Sequence, residues 1–181
     1  MSELQQLKNR NGRPYSEGHR AMYKTVAGLL SNEPANILEL GCGIGDGIEI
    51  LLTGKCVNEL LAIEKTKEDF WHTKERFSGC RNVSVINYDW LSFDGPAFDS
   101  CFDFCTCIEV IEHVEKKHVD RFLARIYQSV SNALFLSTPN VTNHSHGTRT
   151  PDAWCEALER AGFRVSYVEW QWTTFFMANK Q

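Results

Sequence analysis

The stretch Ile37-Leu38-Glu39-Leu40-Gly41-Cys42-Gly43-Ile44-Gly45-Asp46-Gly47 constrains this chain more than any other. A short apolar run followed by alternating glycines predicts a buried strand ending in a loop pressed against a ligand, because glycine alone lets the backbone approach closely and take φ > 0. A dinucleotide loop of the form G-x-G-x-x-G would place a third glycine three positions after the second, at position 46. That position is Asp, which counts against NAD.

The rest of the chain alternates strand and helix patterns around this loop. Residues 14–31 carry Met22, Val26, Leu29 and Leu30 at helical spacing after Pro14, whereas residues 1–13 are expected to be loosely ordered. Asn36 to Leu40 predicts a first strand, and the glycine loop runs into a helix stopped by Gly54. Glu59 to Ile63, Val83 to Tyr88, Cys101 to Ile108 and Ala133 to Ser137 predict four more strands. Helices over Thr66 to Phe77 and Val119 to Val130 lie between them. Thr150-Pro151 supplies an N-cap and first-turn proline for a helix through Arg160, with Gly162 as its stop. Arg164 to Trp170 and Thr173 to Ala178 then read as a hairpin. The expected fold is α/β, a mostly parallel sheet covered on both faces. No repeat or Pro/Ser-rich linker divides residues 1–181, so a single domain is expected.

Composition narrows the setting. A net charge of −4 supplies no overall basic field for a polyanion, although a local patch is compatible with it. No stretch approaches the ~20 consecutive apolar residues of a membrane span, and Met1 to Asn11 lacks the apolar segment of a secretory signal. The seven cysteines form no C-x-x-C pair, which fits reduced thiols in a cytoplasmic protein without membrane partners. Oligomeric state is not legible.

The acidic residues fall at strand ends, where open parallel sheets bind ligands. Glu64 closes the second predicted strand, where a carboxylate can accept from both hydroxyls of a ribose. Asp89-Trp90 closes the third. The sequence Glu39-Leu40-Gly41-Cys42-Gly43-Ile44-Gly45 after an apolar strand resembles the first motif of class I methyltransferases that use S-adenosylmethionine (SAM). The resemblance implies a Rossmann-like seven-stranded sheet with an antiparallel last strand. It further implies SAM contacts at Glu39, Gly41, Cys42, Gly43, Gly45, Glu64, Lys65, Asp89, Trp90 and Ile108, with Asp89 at the adenine amino group.

Cys107-Ile108-Glu109-Val110-Ile111-Glu112-His113-Val114 resembles the E-x-x-E-H segment of ubiquinone-biosynthesis O-methyltransferases and of small-RNA 2′-O-methyltransferases. By that resemblance Glu109, Glu112 and His113 are the catalytic candidates. With His146 as a fourth ligand they are also candidates to hold Mg²⁺ or Mn²⁺. Without a metal, His113 is the candidate general base. His144 is the weaker loop alternative. Tyr15 and His19 are candidates to cover the SAM pocket, and Trp154, Trp170 and Trp172 read first as packing residues. The expected activity is O-methylation of a small-molecule hydroxyl. An RNA end, or SAM binding without transfer, are the alternatives.

Overall fold

The computed structural model describes residues 17–30, 33–54, 56–92, 98–139, 149–169 and 173–181. Residues 1–16, 31–32, 55, 93–97, 140–148 and 170–172 lie outside this set. With them go the expectations for Tyr15, His144, His146, Trp170 and Trp172.

The elements follow one another as α1 (Glu17–Leu29), β1 (Ala35–Leu40), α2 (Asp46–Thr53), β2 (Val57–Glu64), α3 (Lys67–Arg76), β3 (Val83–Asn87), β4 (Phe102–Ile108), α4 (Val119–Ser129), β5 (Val130–Pro139), α5 (Pro151–Arg160), β6 (Phe163–Glu169) and β7 (Thr173–Lys180). They build a seven-stranded sheet of order β3-β2-β1-β4-β5-β7-β6. Strands β1 to β5 pair in parallel, while β7 runs antiparallel to both β5 and β6. The class I arrangement expected from the glycine motif is therefore present. Strand order reverses between β1 and β4, which makes their C-terminal ends the natural ligand crevice of the sheet.

Two apolar layers sandwich the sheet. On one face Met22, Tyr23 and Val26 of α1 pack with Ile48, Ile50 and Leu51 of α2 and with Phe77 beyond α3. On the other, Val119, Phe122, Leu123 and Ile126 of α4 meet Trp154, Ala157 and Leu158 of α5. The i, i+3, i+4, i+7 spacing in α4 places these side chains on one stripe, each worth roughly 1.5–3 kcal/mol once buried. Trp154 is wholly buried, which agrees with its reading as a packing residue.

Several boundaries differ from expectation by one to three residues; β2, for example, begins at Val57 rather than Glu59. Strand β5 begins at Val130, three residues before Ala133, because the C-cap of α4 is already extended there (φ −106°, ψ 152°) and no turn separates helix from strand. Gly54 does end α2, but at φ −70°. A Cβ there would lie 3.2–3.3 Å from the carbonyl oxygens of Leu51 and Ala27, so close approach accounts for the residue.

Candidate active site

The glycine loop is built from both sides. Gly41, Gly43 and Gly45 have φ of +69°, +52° and +89°, a region that side chains enter only at a cost. A Cβ on Gly41 would lie 2.5 Å from Val110 Cγ2, and one on Gly45 would lie 2.5 Å from Phe77 Cε2. Helix α3 holds the loop from outside. Thr73 donates to the Gly43 carbonyl (2.5 Å), and Arg76 donates to the Ile44 carbonyl (2.9 Å) and to Asp46 Oδ1 (2.7 Å). Asp46, the residue that departs from the dinucleotide pattern, puts a carboxylate on the first turn of α2, where a pyrophosphate would otherwise sit.

A cavity of about 330 Å³ opens at the C-terminal ends of β1, β2 and β4 and beyond β3. Of the SAM contacts expected from sequence, Gly41, Glu64, Lys65, Asp89 and Trp90 line it. Leu40, Ile63, Thr66, Asp69, Tyr88 and Leu91 line it as well, and motif reading did not single these out. All but Asp69, which lies in the first turn of α3, adjoin the strand-end residues in sequence, so flanking position was the available signal. Glu64 sits at the mouth of the loop. Its Oε2 accepts from the Gly43 N–H (3.0 Å) and its Oε1 from the Thr66 N–H (2.8 Å), so one carboxylate joins two walls of the cavity. Asp89 Oδ1 accepts from the Leu91 N–H (3.0 Å), which closes a short turn around that side chain.

The remaining expected contacts shape the loop without lining the cavity. Cys42 is buried, and burial pushes its thiol pKa up, so the sulfur is neutral. Gly43 and Gly45 turn the chain, and Ile108 packs in the core. Glu39 is completely buried, and its carboxylate accepts from the hydroxyls of Tyr23 and Thr106. Thr106 is the β4 residue paired with Glu39 across the sheet, and Tyr23 reaches down from α1. Burial pushes the Glu39 pKa up to about 7 against the opposing effect of those two hydrogen bonds.

Beyond β4 the chain turns sharply. Glu109 adopts φ +55°, followed by a 3-10 turn over Ile111–His113. Ser137 on β5 accepts from the Glu109 N–H (3.0 Å) and donates to its Oε1 (2.8 Å), and Thr173 on β7 donates to the same oxygen (2.7 Å). His19 of α1 brings Nε2 to 4.0 Å from Oε2. Burial works to raise the Glu109 pKa, but the hydrogen bonds from His19, Thr173 and Ser137 outweigh it and hold the group below its ordinary value. Glu109 is therefore ionised at the edge of the cavity. Glu112 is the opposite case. It is 3% exposed, and burial, reinforced by the charge of Glu109, pushes its pKa up to about 8. His113 lines the cavity with its side chain 58% exposed, its Nε2 3.8 Å from Glu112 Oε1.

Ser137, Thr173 and His19 thus join the E-x-x-E-H residues. Of the three, Thr173 was not legible as a site residue, because a lone strand hydroxyl carries no local signal. For a divalent cation the fit is poor. Among the described residues no three His, Cys, Asp or Glu side chains converge on a common point. Glu109 Oε1 is already engaged by two hydroxyls, and no catalytic step is routed through a metal here.

A family model described as a methyltransferase domain matches residues 37–132, more than half of the chain. The small RNA 2′-O-methyltransferases of Mus musculus and Rattus norvegicus are each 26% identical to it over 133 residues. Each match covers 67% of this chain and 34% of the relative, so the chain spans about a third of their length. Among solved structures, a SAM-dependent methyltransferase from Aquifex aeolicus superposes with TM-score 0.72 at 19% identity, covering 88% of this chain and 89% of the other. The methyltransferase domain of bacterial CtHen1-C superposes with TM-score 0.74 at 20% identity, covering 90% and 98%. No helix among the described residues is long and apolar enough to cross a membrane. The strand order, the strand-end cavity beside the glycine loop and the family match over residues 37–132 together make the chain a member of the SAM-dependent methyltransferase family, class I.

Proposed function

We propose that this domain transfers the methyl group of SAM to a 2′-hydroxyl at the end of an RNA strand. The observation that carries the reading is the similarity to small RNA 2′-O-methyltransferases over two thirds of the chain. SAM would lie in the strand-end cavity, its ribose on Glu64, its adenine by Asp89 and its methionine end over the glycine loop. The methyl would then face Glu109 and His113. An acceptor hydroxyl held there attacks the sulfonium methyl in line. The new O–CH₃ bond forms as the S–CH₃ bond breaks, S-adenosylhomocysteine (SAH) leaves, and His113 takes the hydroxyl proton. Glu109, pinned by Ser137 and Thr173, orients the acceptor oxygen and favours the imidazolium that forms.

The acidic net charge of −4 favours a second reading, a small-molecule hydroxyl. Against it, Lys116 and Lys117 stand in the next turn after His113 and supply local positive charge, with Lys117 partly offset by Glu115 at 2.8 Å. The test is incubation with labelled SAM and short RNAs bearing either intact or periodate-oxidised 3′ ends, beside a catechol panel. Label on the intact RNA alone is expected. Label on a catechol alone supports the second reading, and no transfer despite SAM binding overturns both.

A further inference from the structure

The cavity wall formed by residues 88–91 has little support from the sheet. Strand β3 is the sheet edge, so its extension beyond Asn87 has β2 on one side only, and Tyr88 N–H to Glu64 O (3.1 Å) is the last such bond to β2. The wall is held instead from behind by two arginines one turn apart on α4. Arg125 Nη1 donates to the Trp90 carbonyl (2.6 Å) and the Ser92 carbonyl (2.9 Å), and its guanidinium lies 4.5 Å from the Trp90 ring centroid and 5.5 Å from that of Tyr88. Arg121 Nη2 donates to the Leu91 carbonyl (2.8 Å).

In a trans peptide the C=O and the following N–H point in opposite directions. Drawing the Trp90 carbonyl toward Arg125 therefore turns the Leu91 N–H away from α4, and that N–H donates to Asp89 Oδ1 (3.0 Å). Drawing the Leu91 carbonyl toward Arg121 likewise turns the Ser92 N–H onto the Asp89 carbonyl (2.8 Å). Two consecutive peptide planes are thus clamped so that both their N–H groups face Asp89.

We propose that Arg121 and Arg125 are positioning residues of the adenine site, holding the Asp89 carboxylate where it can accept from the exocyclic amine. The proposal rests on the reading of Asp89 as the adenine contact. Arg125 contributes more, because it fixes two carbonyls and stacks on Trp90. Lysine cannot reproduce a planar fork that bonds carbonyls and covers a ring at once.

The test is calorimetric binding of SAH and of S-inosylhomocysteine, which carries an oxygen in place of the 6-amino group, to the full chain. Wild type should prefer SAH by ~10-fold or more, the worth of a hydrogen bond to a charged group. Arg125→Met, and Arg125→Lys nearly as much, should lose most of that preference, through weaker SAH binding with S-inosylhomocysteine little changed. Arg121→Met should move the same way by a smaller factor. It leaves the Trp90 stack in place and so decides the matter if the Arg125 variants do not fold. A folded variant that weakens both ligands by the same factor would show a merely structural role and overturn the proposal. Wild type that binds SAH without preference would overturn the Asp89 reading and the proposal with it, and wild type that binds neither ligand would remove the SAM site itself.

Discussion

Replacing Glu39 by glutamine removes a charge from one of the most buried positions of the sheet. The carboxyl is fully enclosed and its pKa stands at about 7 against an ordinary 4.5. Between those values the native state keeps a proton that the unfolded chain releases. The associated stability is complete below pH 4.5 and is lost as pH rises through 7, by about 3 kcal/mol. Glutamine keeps the shape and does not titrate. Its carbonyl can accept from Tyr23, and its amide can donate to the Thr106 hydroxyl, which is free to turn toward the Leu38 carbonyl at 3.5 Å. Urea unfolding of both proteins at pH 5, 6, 7 and 8 is the assay, and the difference between them isolates this group from others that titrate alike in both. The variant is expected to match wild type within ~1 kcal/mol at pH 5 and to exceed it by about 2–3 kcal/mol at pH 8. SAH affinity should stay within about threefold, since Glu39 presents no surface to a ligand. A constant difference across the pH range would refute the burial argument, and a large loss of SAH affinity would return Glu39 to the cofactor contacts.

Three further outcomes are expected. Gly45→Ala places a Cβ at φ +89° and 2.5 Å from Phe77, so it should cost about 1–3 kcal/mol in thermal unfolding and weaken SAH binding together; an unchanged melting temperature contradicts the strained-loop account. Glu64→Gln replaces a carboxylate that accepts from two backbone N–H groups, and calorimetry should show SAH affinity falling by ~10-fold or more; wild-type affinity would remove Glu64 from the ribose role. Chelation with EDTA should leave SAH affinity unchanged, because Glu64 and Asp89 are each held in place by backbone N–H groups, and a loss would reveal a metal at the cofactor.

Sequence alone determined the local half of this molecule. The run Ile37–Leu40 ending in alternating glycines, the Thr150-Pro151 helix start, the α4 stripe and the hairpin from Arg164 were legible because strand, cap, turn and amphipathic signals lie within a few residues of one another. The same locality brought Glu64 and Asp89 to notice as strand-end acids, and the resemblance of the contiguous E-x-x-E-H segment did so for Glu109. Only tertiary structure decided what those acids meet. Alternation along a strand separates two faces when one is wet, and β1 is covered on both, so nothing in Ile37-Leu38-Glu39-Leu40 distinguished a cofactor ligand from a carboxyl enclosed by Tyr23 and Thr106. Thr173 reaches Glu109 because β7 inserts beside β5, and Arg125 reaches Trp90 because α4 packs behind the edge of the sheet. The glycine loop announced the donor from eleven contiguous residues. The carboxylates around it acquired their charge states from strand order and burial, which depend on partners scores of residues away and leave no mark on the neighbouring sequence.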